Sequence, residues 1–493
     1  MGKQLKLGNK IAYRIVAFFL IVFNVTIFAV AFWGQKTYDI NLAPTVNSLF
    51  SENEGMDNGI VLNALLFCLP FFCASVVIAL AFVFADKIIL CKDGTDKGIR
   101  TAKIFRIVCY ALAIVMFFGN ILYIDVEYGM GEFISLKMQK TDIYQNEYVD
   151  PQSVEIQDPD KKRNVIIIYL ESMETTRENG RSGTDYTPKL TDLAANNISF
   201  SDKDGVGGTS QLNATNWTMA TLFATSTGLP WAFKPGEKFE DGFACNAYGI
   251  GDFLNEKDYN QEFLCGSDIR FAYRDKFFDA HGGYKIFDYY TALEKGDVKA
   301  EDYVWWGLED RMLYEIAKRE ITELADKGKP FNFTMLTVDT HPIGGYRCEL
   351  CGDKYENQTA NVLACADNQI YSFVEWLREQ PFFENTTVVI TGDHLRSDTR
   401  IYGGVDKSKR KVYNCFINSV VSADSAITKN RTFTSLDMFP TILTAMGYKI
   451  EGNRLGMGVN LFSGEQTLAE RLTFDVLNKE TEKKSDYYLK RFS

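Results

Sequence analysis

Three long apolar blocks dominate the first quarter of the chain. Ile11–Trp33 is interrupted by Arg14, Asn24 and Thr26, Ile60–Ala85 contains Pro70, and Ile104–Ile124 has Arg106 near its start. Each approaches the ~20 residues that cross a hydrocarbon layer, and none shows the polar face of a helix packed on a soluble core. The pattern predicts three transmembrane helices, about 11–33, 60–85 and 104–124, in a membrane domain spanning 1–124. The triplet Ala29-Val30-Ala31 resembles a signal-peptidase site. It lies inside the first apolar block and two more follow, so that block reads as an anchor.

The pattern then changes. Residues 125–160 are polar and acidic, contain Tyr148-Val-Asp-Pro151, and read as a juxtamembrane connector. From Lys161 onward, β-branched runs alternate with helical stretches. Asn164–Leu170 is a continuous apolar run, as a strand buried on both faces requires. Phe331–Val338 and Thr386–Ile390 read the same way. Helical periodicity falls near Thr187–Asn196, Asn216–Thr227, Trp305–Lys327, Asn361–Glu379 and Ser435–Met446. Such alternation predicts an α/β sandwich with a largely parallel central sheet over 161–493. Sites in these folds gather beyond the carboxyl ends of the strands.

Composition narrows the partners. The 493 residues are 46% hydrophobic and 14% aromatic, which excludes a disordered chain. A net charge of −11 argues against nucleic acid. The charge is uneven: residues 1–123 carry 11 Lys/Arg against 7 Asp/Glu, and the remainder carries 42 against 57. Lys3, Lys6 and Lys10 precede the first block, and Lys87, Lys92, Lys97, Arg100 and Lys103 separate the second from the third. The loop between the first two holds only Lys36 among its basic residues. By the positive-inside rule the N-terminus is cytoplasmic and the large domain lies outside.

Cysteines can therefore meet an oxidising compartment. Cys348-Glu-Leu-Cys351 has the spacing of half a zinc site. No second pair at that spacing and no nearby histidine complete it, so the expectation is a disulfide that includes Cys348.

The residues after the predicted strands carry chemistry. The first run ends in Tyr169-Leu-Glu171, another in Ile390-Thr-Gly-Asp393-His394, and the third in Val338-Asp339-Thr340-His341. Only three histidines occur in the chain, and two of them fall here. Glu171, Asp393 and His394 form an oxygen-rich set with one imidazole, suited to a divalent cation. Taken singly, each would more often be a strand-end cap. The segment 207–221 adds hydroxyls leading into a helix, where a Thr oxygen sits near free N–H groups and the positive dipole end. An ordinary N-cap is the commoner fate of such a Thr, and spacing alone does not separate Thr209, Ser210, Thr215 and Thr218.

Together these motifs resemble a known group. Tyr169-Leu-Glu171-Ser-Met-Glu-Thr, Thr215-Asn-Trp-Thr218 ahead of Gly228-Leu-Pro, Leu336-Thr-Val-Asp-Thr-His341-Pro and Gly392-Asp393-His394 resemble the membrane-anchored glycerophosphotransferases of the sulfatase/alkaline-phosphatase superfamily. The group includes lipoteichoic acid synthase and, with a nearer likeness, the phosphoglycerol transferase acting on periplasmic glucans. The likeness covers roughly 160–465, including Asp437-Met-Phe-Pro440 and Leu455-Gly-Met-Gly458.

The resemblance implies roles. Glu171, Asp393 and His394 fall on metal ligands. Counting back from Gly228-Leu-Pro puts Thr215 on the catalytic threonine, also a metal ligand. His341 falls on the histidine that contacts the donor phosphate, here placed to protonate the leaving oxygen. Arg274 falls loosely on an arginine gripping the glycerophosphate, with Ala272 where lipoteichoic acid synthase has tryptophan. His281 matches no catalytic position. One divalent cation is implied, Mn²⁺ first, with Mg²⁺ and Zn²⁺ as alternatives. The implied donor is phosphatidylglycerol, and the implied acceptor is a glycan or polyglycerolphosphate hydroxyl. The chemistry expected is two-step transfer through the threonine with release of diacylglycerol.

Residues 209–218 lack the Cys/Ser-x-Pro-x-Arg context of formylglycine sulfatases. Asn213-Ala-Thr215 and Asn216-Trp-Thr218 are sequons whose glycans would block the hydroxyls in a eukaryotic secretory pathway, which favours a bacterial cell membrane. The rivals are a phosphoethanolamine transferase or phosphodiesterase on the same fold, and a non-enzymatic envelope sensor.

Overall fold

The computed structural model describes residues 2–38, 58–92, 95–175, 183–237, 239 and 242–493. The chain divides into two compact units, one built on the apolar helices and the other containing residues 134–493.

In the first unit, α1 (Gly2–Thr37), α2 (Asn58–Lys92) and α3 (Asp96–Tyr128) extend each predicted span at both ends. All three are long and apolar enough to cross a membrane. Two of the polar interruptions in the first block are hydrogen-bonded: Thr26 Oγ1 donates to the Val22 carbonyl at 2.7 Å, and Asn24 is met by another helix. Asn24 is buried, and its carbonyl and side-chain oxygens accept the Asn120 amide at 2.9 and 3.1 Å. Small helix-interface amides of this kind join helices in apolar surroundings.

The second unit is built on a six-stranded sheet. Its strands are β1 (Asn164–Leu170), β2 (Asn260–Cys265), β3 (Lys285–Phe287), β4 (Phe331–Leu336), β5 (Thr386–Gly392) and β6 (Asn414–Ile417). They lie in the order β3-β2-β4-β1-β5-β6. The first five are parallel, and β6 runs antiparallel to β5. Every residue of β1 is buried, and its side chains alternate between two cores, as a pleated strand must. Val165, Ile167 and Tyr169 meet one core with α5 (Thr218–Thr227) and α8 (Met438–Ala445). Ile166, Ile168 and Leu170 meet the other with α4 (Pro188–Asn196), α6 (Asp310–Asp326) and α7 (Gln358–Arg378).

This is the expected helix–sheet–helix sandwich. From Thr141, the stretch read as a juxtamembrane connector is folded onto the domain. Tyr144 is fully buried and its hydroxyl donates to the Thr481 carbonyl at 2.6 Å. Ile156–Gln157 pairs with Lys449–Ile450. The aromatic residues scattered through this acidic segment give it a buried side that its average polarity conceals.

Register positions the chemistry. Tyr169 is level with Leu336 on one side and Thr391 on the other. The residues that follow the three strands therefore emerge side by side from the sheet edge.

Candidate active site

Glu171, Asp393 and His394 come together at that edge. A carboxylate oxygen from each acid and one imidazole nitrogen lie within 4.8 Å of one another, and all three residues are buried. The backbone brings them there. Ser172, just past β1, turns into the left-handed region at φ 49°. Its N–H donates to Asp393 Oδ1 at 2.7 Å and its hydroxyl to Glu171 Oε1 at 2.6 Å. A non-glycine residue in this region is a strained feature that sites tend to retain. Gly392 is required for a different reason: a Cβ there would sit 2.0 Å from the Met173 carbonyl oxygen. Only glycine lets the two strand-end loops approach this closely.

The electrostatics call for a cation. Asp393 Oδ2 is buried without a hydrogen-bond donor, and among the described residues no lysine or arginine pairs with Glu171 or Asp393. Burial, with the Glu171 charge, pushes the Asp393 carboxyl up to about 7. Burial opposes a charge on His394, but the Asp393 and Glu171 carboxylates outweigh it and raise that imidazole. His394 Nδ1 donates to the Leu395 carbonyl at 2.9 Å. This turns Nε2 toward Asp393 Oδ2 at 3.4 Å and Glu171 Oε1 at 3.7 Å. An imidazole oriented by a carbonyl behind it is the usual arrangement of a metal-ligating histidine. The donor set fits a divalent cation.

The hydroxyl facing this set is that of Thr218. Its Oγ1 lies 3.5 Å from both Glu171 Oε2 and His394 Nε2, at the first residue of α5. Thr215, the expected nucleophile and ligand, does not join it. Residues Asn213–Thr215 form a separate 3-10 turn, and the Thr215 hydroxyl donates inward to the Leu212 carbonyl at 3.3 Å. Thr215 lines a small hydroxyl-rich cavity with Thr209, Ser210, Thr221 and Thr225, and Asp393 borders the same cavity. At the other end of α5, Gly228 adopts φ 69° and stops the helix. Its carbonyl accepts Met457 N–H at 2.9 Å, so Leu455-Gly-Met-Gly458 braces the helix that carries Thr218.

His341 stands beyond β4. Thr340 Oγ1 donates to the Glu171 carbonyl at 2.5 Å, which ties the His341 loop to Glu171. His341 Nδ1 donates to Pro342 O at 2.6 Å, and burial pushes the imidazole down to about 4. The ring packs on Trp306 with centroids 4.4 Å apart, and Trp306 packs on Phe271 at 5.3 Å. Sequence reasoning missed Trp306. Its buried indole N–H has no acceptor among the described residues.

Arg274 caps this wall, 5.6 Å from the Phe271 ring centroid. Its guanidinium is engaged by its own loop: Nε donates to Phe271 O at 3.0 Å, and Nη2 to Ser267 Oγ at 3.0 Å and Asp268 O at 2.6 Å. The preceding Ala272 and Tyr273 both have positive φ, so the guanidinium holds a strained turn. His281 is structural, bonded to Asp252 at 3.0 Å and the Phe243 carbonyl at 2.8 Å.

Behind His394 lies a buried ionic chain that no motif announced. Arg396 Nε donates to Asp398 at 2.9 Å and its Nη1 to the Thr340 carbonyl. Glu174 accepts Arg396 N–H at 2.8 Å and Arg410 Nε at 3.0 Å. The chain links the loops of Glu171, His341 and His394.

A model of the family described as Sulfatase matches residues 163–448. The chain belongs to the sulfatase family. The matched stretch begins at β1 and contains every residue of the site. The chain is 29% identical over 320 residues to "Phosphoglycerol transferase I" of Escherichia coli O127:H6, covering 62% of this chain and 40% of the relative. It is 30% identical over 322 residues to the Shigella flexneri protein of the same name, with the same coverage. The chain thus spans about two fifths of the length of the curated relatives it matches. Similar solved structures include the lipoteichoic acid synthase LtaP from Listeria monocytogenes, with TM-score 0.49, 18% identity, 63% of this chain and 79% of that one. Another is the lipooligosaccharide phosphoethanolamine transferase A from Neisseria meningitidis, with TM-score 0.49, 13% identity, 89% of this chain and 86% of that one.

Proposed function

We propose that the protein transfers glycerophosphate from phosphatidylglycerol to a hydroxyl of an envelope glycan or polyglycerolphosphate, releasing diacylglycerol, with Thr218 as the nucleophile. The observation that carries this reading is the Thr218 hydroxyl 3.5 Å from both Glu171 and His394. The names of the relatives support the head group, and the threonine in place of a formylglycine precursor supports transfer of phosphate rather than sulfate.

Glu171, Asp393 and His394 would hold one divalent cation, which we take to be Mn²⁺, with Mg²⁺ and Zn²⁺ as alternatives. When bound, such a cation lowers the pKa of a neighbouring hydroxyl and offsets charge on phosphoryl oxygens. Thr218 Oγ1 gives its proton to solvent and bonds to phosphorus in line, and the bond from phosphorus to the diacylglycerol oxygen breaks. That oxygen takes a proton from solvent. N–H groups of the first turn of α5 have no partners within the helix and are suited to receive the phosphoryl oxygens. An acceptor hydroxyl then displaces Thr218, restoring its proton.

We assign His341 to positioning. It is neutral at neutral pH with its proton directed at Pro342 O, so Nε2 accepts hydrogen bonds, as from a glycerol hydroxyl, and does not deliver a proton to the leaving oxygen. Arg274 supports the Phe271–Trp306 wall beside it. The basic flanks of the apolar helices support a domain outside the membrane with a cytoplasmic N-terminus.

Head-group-labelled phosphatidylglycerol incubated with the full chain tests the reading. The expected products are diacylglycerol and a labelled acceptor. Free glycerophosphate alone, or preferential use of phosphatidylethanolamine, would replace the reading with one of its rivals.

A further inference from the structure

Cys348 and Cys351 are joined by a third thiol that no spacing rule would have paired with them. The loop after His341 makes a tight turn at Cys348–Cys351, closed by Cys351 N–H on the Cys348 carbonyl at 3.1 Å. Helix α7 then returns Cys365 to the same point. Cys348 Sγ lies 3.7 Å from Cys351 Sγ and 3.7 Å from Cys365 Sγ, and all three sulfurs fall within 4.8 Å of one another. Cys348 and Cys365 are buried, Cys351 is half-buried, and all three are free thiols. In this structure no disulfide joins Cys348 to either neighbour.

From this cluster we infer a second metal site, in which Cys348, Cys351 and Cys365 bind a thiophilic divalent cation of the Zn²⁺ class, separate from the cation at Glu171, Asp393 and His394. Four observations favour it over a disulfide. Bonds of about 2.3 Å to a tetrahedral zinc set neighbouring sulfurs about 3.8 Å apart, close to the two separations here. Three thiols cannot be consumed in pairs, whereas one cation uses them all. The sulfurs also have a donor beside them: Gln369 Nε2 lies 3.4 Å from Cys365 Sγ and 3.8 Å from Cys348 Sγ. N–H groups directed at sulfur are the outer shell that thiolate ligands use.

The fourth observation is independent of the thiols. Asp339 is 2% exposed and neither carboxylate oxygen has a hydrogen-bond partner. Its neighbour Asp310 adds negative charge. A buried unpaired carboxylate is costly, and a cation on the three sulfurs would offset it. Binding displaces the three thiol protons and leaves a fourth position to water. The cation would pin the loop that carries His341 to α7.

The test uses the full chain in detergent, reduced and then freed of reductant, with Zn²⁺ and Co²⁺ as probes. Wild type should retain one more zinc than Cys351→Ser or Cys365→Ser. Its Co²⁺ form should show sulfur-to-cobalt charge transfer in the near ultraviolet. Both serine variants should lose that band, and Asp393→Asn should keep it. Cys351 is the less buried position, so its variant serves if Cys365→Ser does not fold. A Cys348–Cys351 or Cys348–Cys365 disulfide in protein purified without reductant would overturn the inference. So would equal reactivity of the three thiols toward Ellman's reagent with and without Zn²⁺.

Discussion

The Thr218 hydroxyl stands 3.5 Å from Nε2 of His394, whereas that of Thr215, three residues earlier, turns into the protein to meet the Leu212 carbonyl. Thr218→Ala should lower kcat/KM for phosphatidylglycerol by about a thousandfold or more, as removal of a nucleophile does. Thr215→Ala should keep most activity and lose about 1 kcal/mol of stability with its buried hydrogen bond. The opposite ranking, read from initial rates of diacylglycerol release, would return the nucleophile to Thr215.

Ser172 orients Glu171, a proposed ligand, from outside the proposed cation site. Its hydroxyl donates to Glu171 Oε1 at 2.6 Å. Losing an outer-shell bond of this kind weakens metal affinity by about 10- to 100-fold, so Ser172→Ala should bind Mn²⁺ more weakly while remaining folded. Asp393→Ala should lose the ion at this site altogether. A titration monitored by electron paramagnetic resonance of free Mn²⁺ separates the three proteins. Equal affinity in Ser172→Ala and wild type would contradict the assignment of Glu171 as a ligand.

The ionic chain behind His394 should behave as one unit. The side chains of Glu174 and Arg410 are at most 1% exposed, and removing one member of a buried pair strands the other at a cost of about 3–5 kcal/mol. Arg410→Ala should lower the melting temperature strongly. Adding Glu174→Gln should cost less than the sum of the single changes. Additive losses in a double-mutant cycle would show that the two side chains do not couple.

His341 gives a signed pH dependence. Burial holds its imidazole near about 4 in the folded chain, against about 6.5 unfolded. Between those values the unfolded state binds the extra proton. The contribution of His341 is therefore complete above about pH 6.5 and lost as pH falls through about 4. His341→Asn should show a smaller drop in melting temperature than wild type between pH 7 and pH 4.5. An identical drop would mean that the imidazole is not held neutral.

How much of this was legible in the sequence depended on how each residue is satisfied. β1, β4 and β5 announced themselves because both faces are buried and apolar. β2 did not, since Gln261 and Glu262 look like surface residues. In the fold, the Gln261 amide bonds the Gly251 and Gly282 carbonyls at 2.8 Å and Glu262 pairs with Lys285 at 3.1 Å. The grouping of Glu171, Asp393 and His394 was visible because strand ends in such a sheet share one edge. The choice between Thr215 and Thr218 was not visible. It depends on where the 3-10 turn at Asn213–Thr215 gives way to α5, and counting back from Gly228 does not reveal that break. Cys365 lies on a helix 14 residues beyond Cys351, and only the fold brings it back.

The most direct test is the identity of the residue that carries the transferred group. The full chain, mixed briefly with phosphatidylglycerol in the absence of acceptor and quenched in acid, is digested and sequenced by tandem mass spectrometry. A glycerophosphoryl group on Thr218, absent from the Asp393→Ala protein, is the predicted result. The same group on Thr215, or no covalent adduct while diacylglycerol is still released at the full rate, would contradict the account.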